Sequence, residues 1–261
     1  MKFGIANLSI VPVRVEAKEQ SEQVTQILFG ETFEIIERRK LWYHIKTQLD
    51  NYEGWIDVKL VKKISEQEFN KINKSNKFIT NDIITVITKT SDKTKLLLSA
   101  GSTLPNFDVK NNSFKITDDK YELNQNINAL TNNIRKNIIS TAIKYINAPY
   151  LWGGRTHFGI DCSGFSQIVY KICGISTPRD ASQQVKKGTI LNMVEEAKIG
   201  DLAFFDNDEG KIIHVGLIMA NNKIIHASGK VRIDKIDHQG IFNEETNEYS
   251  HNLRVIQNII D

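Results

Sequence analysis

The sequence predicts an α+β protein whose front half is all β. Three observations predict it. Short runs of alternating apolar residues, spaced by Gly, Asn and Asp turns, fill the first sixty positions. A second set of such runs, richer in Asn and Lys, occupies residues 78–122. From Thr131 the apolar spacing becomes helical, and from Gly200 it returns to strand-like runs. The expected organisation is a small all-β module over 1–63, a second and degenerate one over 64–127, and an α+β domain over 128–261.

In the front half the strand candidates are 9–15, 24–29, 32–36, 41–46 and 54–56, with turns at Gly30-Glu31 and Asp50-Asn51. Residues 65–75 are polar and read as a short helix, and 82–88, 95–98, 107–109 and 114–117 read as further strands. Thr131 reads as a helix N-cap, with Ile139, Ile143 and Ile146 as an i, i+4, i+7 stripe that Pro149 ends. After Trp152-Gly153-Gly154, Cys162-Ser163-Gly164 opens a second helix. Phe165, Ile168, Val169 and Ile172 share one of its faces, and Gly174 ends it. Asp180 and Gln183 resemble the capping box of a short third helix. Strands are expected at 202–205, 211–219, 223–227 and 253–255.

Composition excludes several classes. Of the 261 residues, 40% are hydrophobic and 25% charged, enough apolar content to bury a core. A net charge of +3 without a Lys/Arg run argues against a nucleic-acid partner. No stretch is long and apolar enough to span a membrane. The start, interrupted by Asn7, Ser9 and Pro12 and lacking an Ala-x-Ala-like cleavage site, reads as mature structure. That points to the cytoplasm, with a periplasmic or secreted location the alternative if a leader has been removed. The two cysteines, Cys162 and Cys173, lie eleven residues apart. On a helix that is roughly 16 Å, beyond the ~7 Å a disulfide spans, so both are expected as free thiols.

Cys162 carries the chemistry. A helix N-terminus presents N–H groups and partial positive charge, which favour the thiolate and can stabilise an oxyanion. Cys173, on the same helix beside Ile172, reads as structural. His214 lies within the apolar run Lys-Ile-Ile-His-Val-Gly-Leu-Ile-Met, where an imidazole needs a polar partner. His226 lies in the next run. If Ala220-Asn221-Asn222 is a three-residue turn, Gly216 opposes His226, and the two histidines become diagonal neighbours on one face. A two-residue turn would put them on opposite faces. In the first register His214 takes the proton from Cys162 and His226 orients His214. A zinc site from Cys162, His214 and His226 is the rival, and it lacks the close-spaced ligand pair such sites usually show.

The run from Pro149 to Gln167, with Asp161-Cys162-Ser163-Gly164 at its centre, closely resembles the nucleophile motif of the NlpC family of papain-like cysteine peptidases. The resemblance continues through Pro178-Arg179-Asp180, Gly200-Asp201-Leu202, His214-Val215-Gly216 and His226-Ala227-Ser228. Val11-Pro12-Val13-Arg14, Val24–Glu31 and Tyr52–Asp57 resemble the bacterial SH3-like modules joined to such peptidases. The expected fold is thus a papain-like domain preceded by one or two SH3-like barrels. The set is most similar to the YkfC-type γ-D-glutamyl-L-diamino acid endopeptidases, which act on peptidoglycan stem peptides with a free N-terminal L-Ala. The resemblance implies Cys162 as nucleophile, His214 as base, His226 as third member and Tyr150 beside the oxyanion. It implies Asp161, Ser163, Glu16 and Tyr52 at the alanine end of the substrate, where two carboxylates would hold an ammonium. Some relatives carry a serine where Ala181 stands. Arg155 and Arg179 read as structural or as contacts to a substrate carboxylate, His157 as a loop histidine, and His44, His238 and His251 as surface. No cofactor is implied. The expected partners are murein-derived peptides, without nucleic acid or membrane, and the expected state is a monomer. The alternatives are a wall-binding protein with an inactive rear domain, or an amidase or acyltransferase using the same thiol.

Overall fold

The computed structural model describes residues 1–75, 77–125, 129–191 and 193–260. The chain divides into two compact units, Met1–Ala129 and Leu130–Asp261. The expected boundary at 127/128 lies outside the described residues.

The front unit opens with a seven-stranded antiparallel sheet. Its order is Gln23–Leu28, Ile10–Arg14, Glu53–Asp57, Trp42–Thr47, Thr32–Arg39, Phe3–Ile5 and Lys62–Ile64. Alternation drives it: Trp42–Thr47 turns Tyr43, Ile45 and Thr47 inward in strict period two. Val11, Val13, Ile27, Phe33, Tyr43, Ile45 and Ile56 close the core expected of a small barrel. Helix Glu66–Lys74 starts where Ser65 accepts the Glu68 N–H, and it buries Phe69 and Ile72. Those two join Ile5, Phe29 and Ile64 with Ile87, Leu98, Phe114 and Tyr121 in a second core. Residues on both sides of position 63 therefore share one interior.

A four-stranded sheet completes that core, in the order Lys95–Ser99, Ile84–Lys89, Asp119–Leu123, Ser113–Ile116. The stretch 107–109 is not the expected strand. Asp108 instead accepts the N–H groups of Lys110 and Asn111 and forms a turn. Asp119–Leu123 is a strand that sequence pattern hides, since only Tyr121 and Leu123 of its five residues are apolar.

The rear unit begins with helix Ile134–Ile143, capped by Asn133, whose side chain accepts the Lys136 N–H at 3.0 Å. The expected cap, Thr131, instead donates its hydroxyl to Asn137 Oδ1 at 2.7 Å. The buried face is Asn137, Ile138, Thr141 and Ala142, and Ile143 points outward. The observed stripe, Ile138, Ala142 and Tyr145, thus runs one residue earlier than the expected one.

Helix Cys162–Ile172 is buried on every side, not on one face. It is the hub of the unit, so its polar residues need internal partners. Ser166 Oγ donates to Gln184 Oε1 at 2.8 Å, and Gln184 Nε2 donates to the Ser163 carbonyl at 3.0 Å. The antiparallel sheet beside it runs Thr189–Leu191, Glu248–Asn258, Leu202–Asp206, Ile212–Met219, Lys223–Ser228, Lys230–Ile236, Gly240–Asn243. Gly240–Asn243 also pairs with Glu248–Asn258, so six strands form a closed ring. Among the described residues no helix is long and apolar enough to cross a membrane.

Candidate active site

The hairpin Ile212–Met219/Lys223–Ser228 takes the predicted register: Gly216 opposes His226, Ile218 opposes Ile224 and Met219 opposes Lys223. The turn residues Asn221 and Asn222 adopt φ of 61° and 53°, a conformation that asparagine tolerates. His214 and His226 therefore share a face as diagonal neighbours, and His214 Nε2 lies 2.8 Å from His226 Nδ1. Gly216 leaves space opposite His226. A Cβ there would stand 2.9 Å from the His226 Cβ and 2.7 Å from Ile224 Cδ1.

The next strand repeats the offset. Arg232 opposes His226 and Asp234 opposes Ile224, so Asp234 is diagonal to His226 in turn. His226 Nε2 lies 2.8 Å from Asp234 Oδ2. Arg232 Nη2 donates to Asp234 Oδ1 at 2.8 Å, and its Nη1 donates to Glu245 Oε2 at 3.1 Å. Burial pushes the Asp234 carboxyl upward, but the hydrogen bonds from His226 and Arg232 prevail and hold it below the ordinary aspartate value.

His251 joins this array against expectation. It is partly buried, not a surface residue, and its ring stacks on His214 with centroids 4.1 Å apart and 26° between planes. Ser250 Oγ lies 2.9 Å from its Nδ1. The available signal was the period-two set His251, Leu253 and Val255, all partly buried. Ring nitrogens of His214, His226 and His251 lie within 4.8 Å of one another, a donor set that zinc would accept. The orientation does not fit. A metal lies close to the plane of each imidazole that binds it, and the His214 and His251 planes are too nearly parallel to share one ion. The His214–His226 nitrogen pair is already joined by a hydrogen bond.

Asp161 is the N-cap of the Cys162 helix. Its Oδ1 accepts the Gly164 N–H at 2.7 Å and Arg179 Nη1 at 3.0 Å. Its Oδ2 accepts the Gly153 N–H at 2.8 Å and Arg179 Nη2 at 2.5 Å. Arg179, 1% exposed, also donates to Ser163 Oγ at 2.9 Å. Gly164 admits the preceding loop: a Cβ there would meet the Gly154 carbonyl at 2.3 Å. The Asp-Cys-Ser-Gly string is thus a cap, a nucleophile candidate, an arginine anchor and a packing gap. Arg179 is buried against Asp161 and pairs its carboxylate inside the protein, so the charge expected to hold an ammonium already has a partner.

Cys162 and Cys173 are both free. Cys162 is 7% exposed, and backbone N–H groups of Val215 and Ser163 hydrogen-bond its sulfur. This places the sulfur beside the backbone of His214. Helix-start polarity was expected to lower this thiol. Burial instead pushes it up to about 12, the Asp161 charge adds to the rise, and the two N–H groups and Arg179 offset only part of it. Burial, then His226 and His251, hold His214 well below 6.5. Each group is thus held neutral in the resting protein. In the resting protein iodoacetamide should therefore alkylate Cys162 slowly at pH 7, with a rate that climbs through and beyond ~8.5, the usual thiol range. A fast rate, flat from pH 5 upward, would reveal a preformed thiolate–imidazolium pair instead.

Tyr150 is positioned by its main chain, whose N–H donates to the Gly229 carbonyl at 2.9 Å. Burial, then the neighbouring Cys162 and Asp161, push its hydroxyl up to about 12, so it stays a donor at neutral pH. Arg155 is buried and His157 packs on Tyr145, with ring centroids 5.8 Å apart. Glu16 and Tyr52 lie in the front unit. Glu16 is exposed and pairs with Lys18 at 2.5 Å, and the Tyr52 N–H donates to Thr47 Oγ1 at 2.9 Å.

A buried thiol at a helix start beside a histidine relay defines the papain-like class of cysteine peptidases. Residues 147–249 match the NlpC/P60 family and residues 13–59 match the bacterial dipeptidyl-peptidase Sh3 domain. The chain thus carries an NlpC/P60 domain behind an SH3-like front half and is a cysteine peptidase. Over 222 residues it is 29% identical to the γ-D-glutamyl-L-lysine dipeptidyl-peptidase of Bacillus subtilis (strain 168), covering 78% of this chain and 71% of that one. Over 224 residues it is 28% identical to the Bacillus cereus (strain ATCC 10987 / NRS 248) protein of the same name, covering 78% and 66%. The crystal structure of an NlpC/P60 family protein from Bacillus cereus ATCC 10987 superposes with a TM-score of 0.83 at 19% identity, over 99% of this chain and 100% of that one, which establishes a shared fold.

Proposed function

We propose that this peptidase hydrolyses the γ-D-glutamyl-L-diamino acid bond of peptidoglycan stem peptides bearing a free N-terminal L-Ala. The observation that carries the reading is the His214–His226 hydrogen bond beside the Cys162 sulfur. The names of the Bacillus relatives supply the γ-D-glutamyl substrate class.

Cys162 Sγ attacks the γ-carbonyl while its proton passes to His214 Nδ1, the ring nitrogen not bonded to His226. The oxyanion takes hydrogen bonds from the N-terminus of the Cys162 helix and from Tyr150. His214 then protonates the departing diamino acid, leaving a thioester that a water activated by His214 hydrolyses. Asp161 and Ser163, at the start of the Cys162 helix, shape the end of the cleft that takes the alanine ammonium.

Incubation with L-Ala-γ-D-Glu-L-Lys should release L-Ala-D-Glu, followed by mass spectrometry, and Cys162→Ala should release none. Acetylating the alanine amine should reduce kcat/KM by about tenfold or more, the worth of one charge-assisted hydrogen bond. Equal turnover of free and acetylated peptide would remove the ammonium pocket from the reading. Turnover only of amides or esters lacking D-Glu would replace the substrate class.

A further inference from the structure

We infer that Asp234 is a positioning residue of the hydrolytic site: through His226 it dictates which nitrogen of His214 carries the proton. The inference rests on the reading of His214 as base and His226 as its partner.

An ionised carboxylate only accepts. Asp234 is held ionised at neutral pH, and Arg232 donates to its Oδ1 and lies with Nε 2.7 Å from its Oδ2. The group facing Asp234 Oδ2 at 2.8 Å, His226 Nε2, must therefore be the donor. A neutral imidazole has one ring proton, so with Nε2 protonated His226 Nδ1 is bare and accepts. Its partner at 2.8 Å, His214 Nε2, must then donate. That leaves His214 Nδ1 bare, the state required to take the thiol proton. Were the wire reversed, with His226 Nδ1 donating, His214 would carry its proton on Nδ1 and meet the thiol as a donor, with no capacity to accept.

The sheet makes this wire rigid. His214, His226 and Asp234 stand on three successive strands, each displaced by two residues from the position directly opposite its predecessor. His226 and Asp234 are 1% and 7% exposed, so water does not compete freely for their bonds. Arg232 in turn is held by Glu245 and Asn243. A histidine is symmetric enough to point either way, and an acceptor-only group at the far end removes that ambiguity.

The test reads tautomers directly. In wild-type enzyme labelled with 15N-histidine, long-range 1H–15N correlation at neutral pH should show both His214 and His226 protonated at Nε2. Asp234→Ala should populate the Nδ1-protonated forms and lower kcat on the stem peptide roughly 100-fold or more at little change in KM, as a wrong-tautomer base does. Asp234→Glu keeps an acceptor-only carboxylate and should restore the tautomer and bring kcat to within about tenfold of wild type, whereas Asp234→Asn, whose oxygen stays on Arg232 and whose amide N–H then faces His226 Nε2, should not. The inference is overturned if wild-type His214 carries its proton on Nδ1, or if Asp234→Ala leaves tautomers and kcat unchanged. The wild-type spectrum decides the matter even if Asp234→Ala fails to fold. Failure of the underlying reading looks different: His214→Ala would then retain activity, whereas failure of this inference alone leaves His214→Ala inactive and Asp234→Ala active.

Discussion

Replacing His214 with alanine should lower kcat on L-Ala-γ-D-Glu-L-Lys by about 10³–10⁴, the upper range for loss of a positioned general base. The size follows from the thiol. Burial pushes its pKa up to about 12, so without help Cys162 stays a thiol at pH 7. Hydrogen bonds from Val215 and Ser163 lower it only in part, because burial of the sulfur outweighs them. A base that accepts the proton as attack proceeds is the remaining route, and His214 is buried, neutral and oriented for it. KM should change little, since His214 binds the reacting atom's proton and not the peptide ends. Steady-state rates with a circular-dichroism check of folding would measure this. A loss smaller than tenfold would mean that the imidazole is not the base.

Replacing Arg179 with methionine should cost the rear unit about 3–5 kcal/mol of stability, the range for removing one member of a buried ion pair. Arg179 is among the largest fully buried side chains, and it spans Asp161 and Ser163 at the start of the Cys162 helix. Its loss strands the Asp161 carboxylate among the Gly153 and Gly164 N–H groups, which pair it but do not neutralise its charge. Urea unfolding followed by tryptophan fluorescence should show the lower midpoint with an unchanged slope. A change under 1 kcal/mol would mean that solvent reaches the Asp161 carboxylate and that the pair is not buried in solution.

The histidine hairpin was legible because strand parity is strict: one choice of turn length placed both imidazoles together, and the Asn221-Asn222 turn took it. The Cys162 helix was legible in extent and not in environment. Four apolar positions described one face, while satisfaction of Ser166 by Gln184 and of Asp161 by Arg179 let the remaining faces be buried too. That burial reverses the thiol shift inferred from helix polarity alone. Asp234 escaped notice because Lys230–Ile236 alternates apolar with charged residues, and the usual assumption turns the charges to water. Here the strand buries Val231, Asp234 and Ile236, and only the partners on neighbouring strands explain why an acid is tolerated inside. For His251 the period-two set with Leu253 and Val255 marks an inward face, but not the ring contact with His214, a residue far back in the sequence.

The closed ring of six strands has a consequence for synthesis. Glu248–Asn258 is the stave that meets Thr189–Leu191, Leu202–Asp206 and Gly240–Asn243, so the hoop stays open until residues near 258 have emerged. The helix bearing the sulfur is translated about ninety residues earlier. A growing chain thus carries the thiol well before the wall that brings His251 against His214 can be completed, and the hydrolase is assembled as a late, all-at-once event. Deleting the stave should leave a nascent product that never arms itself.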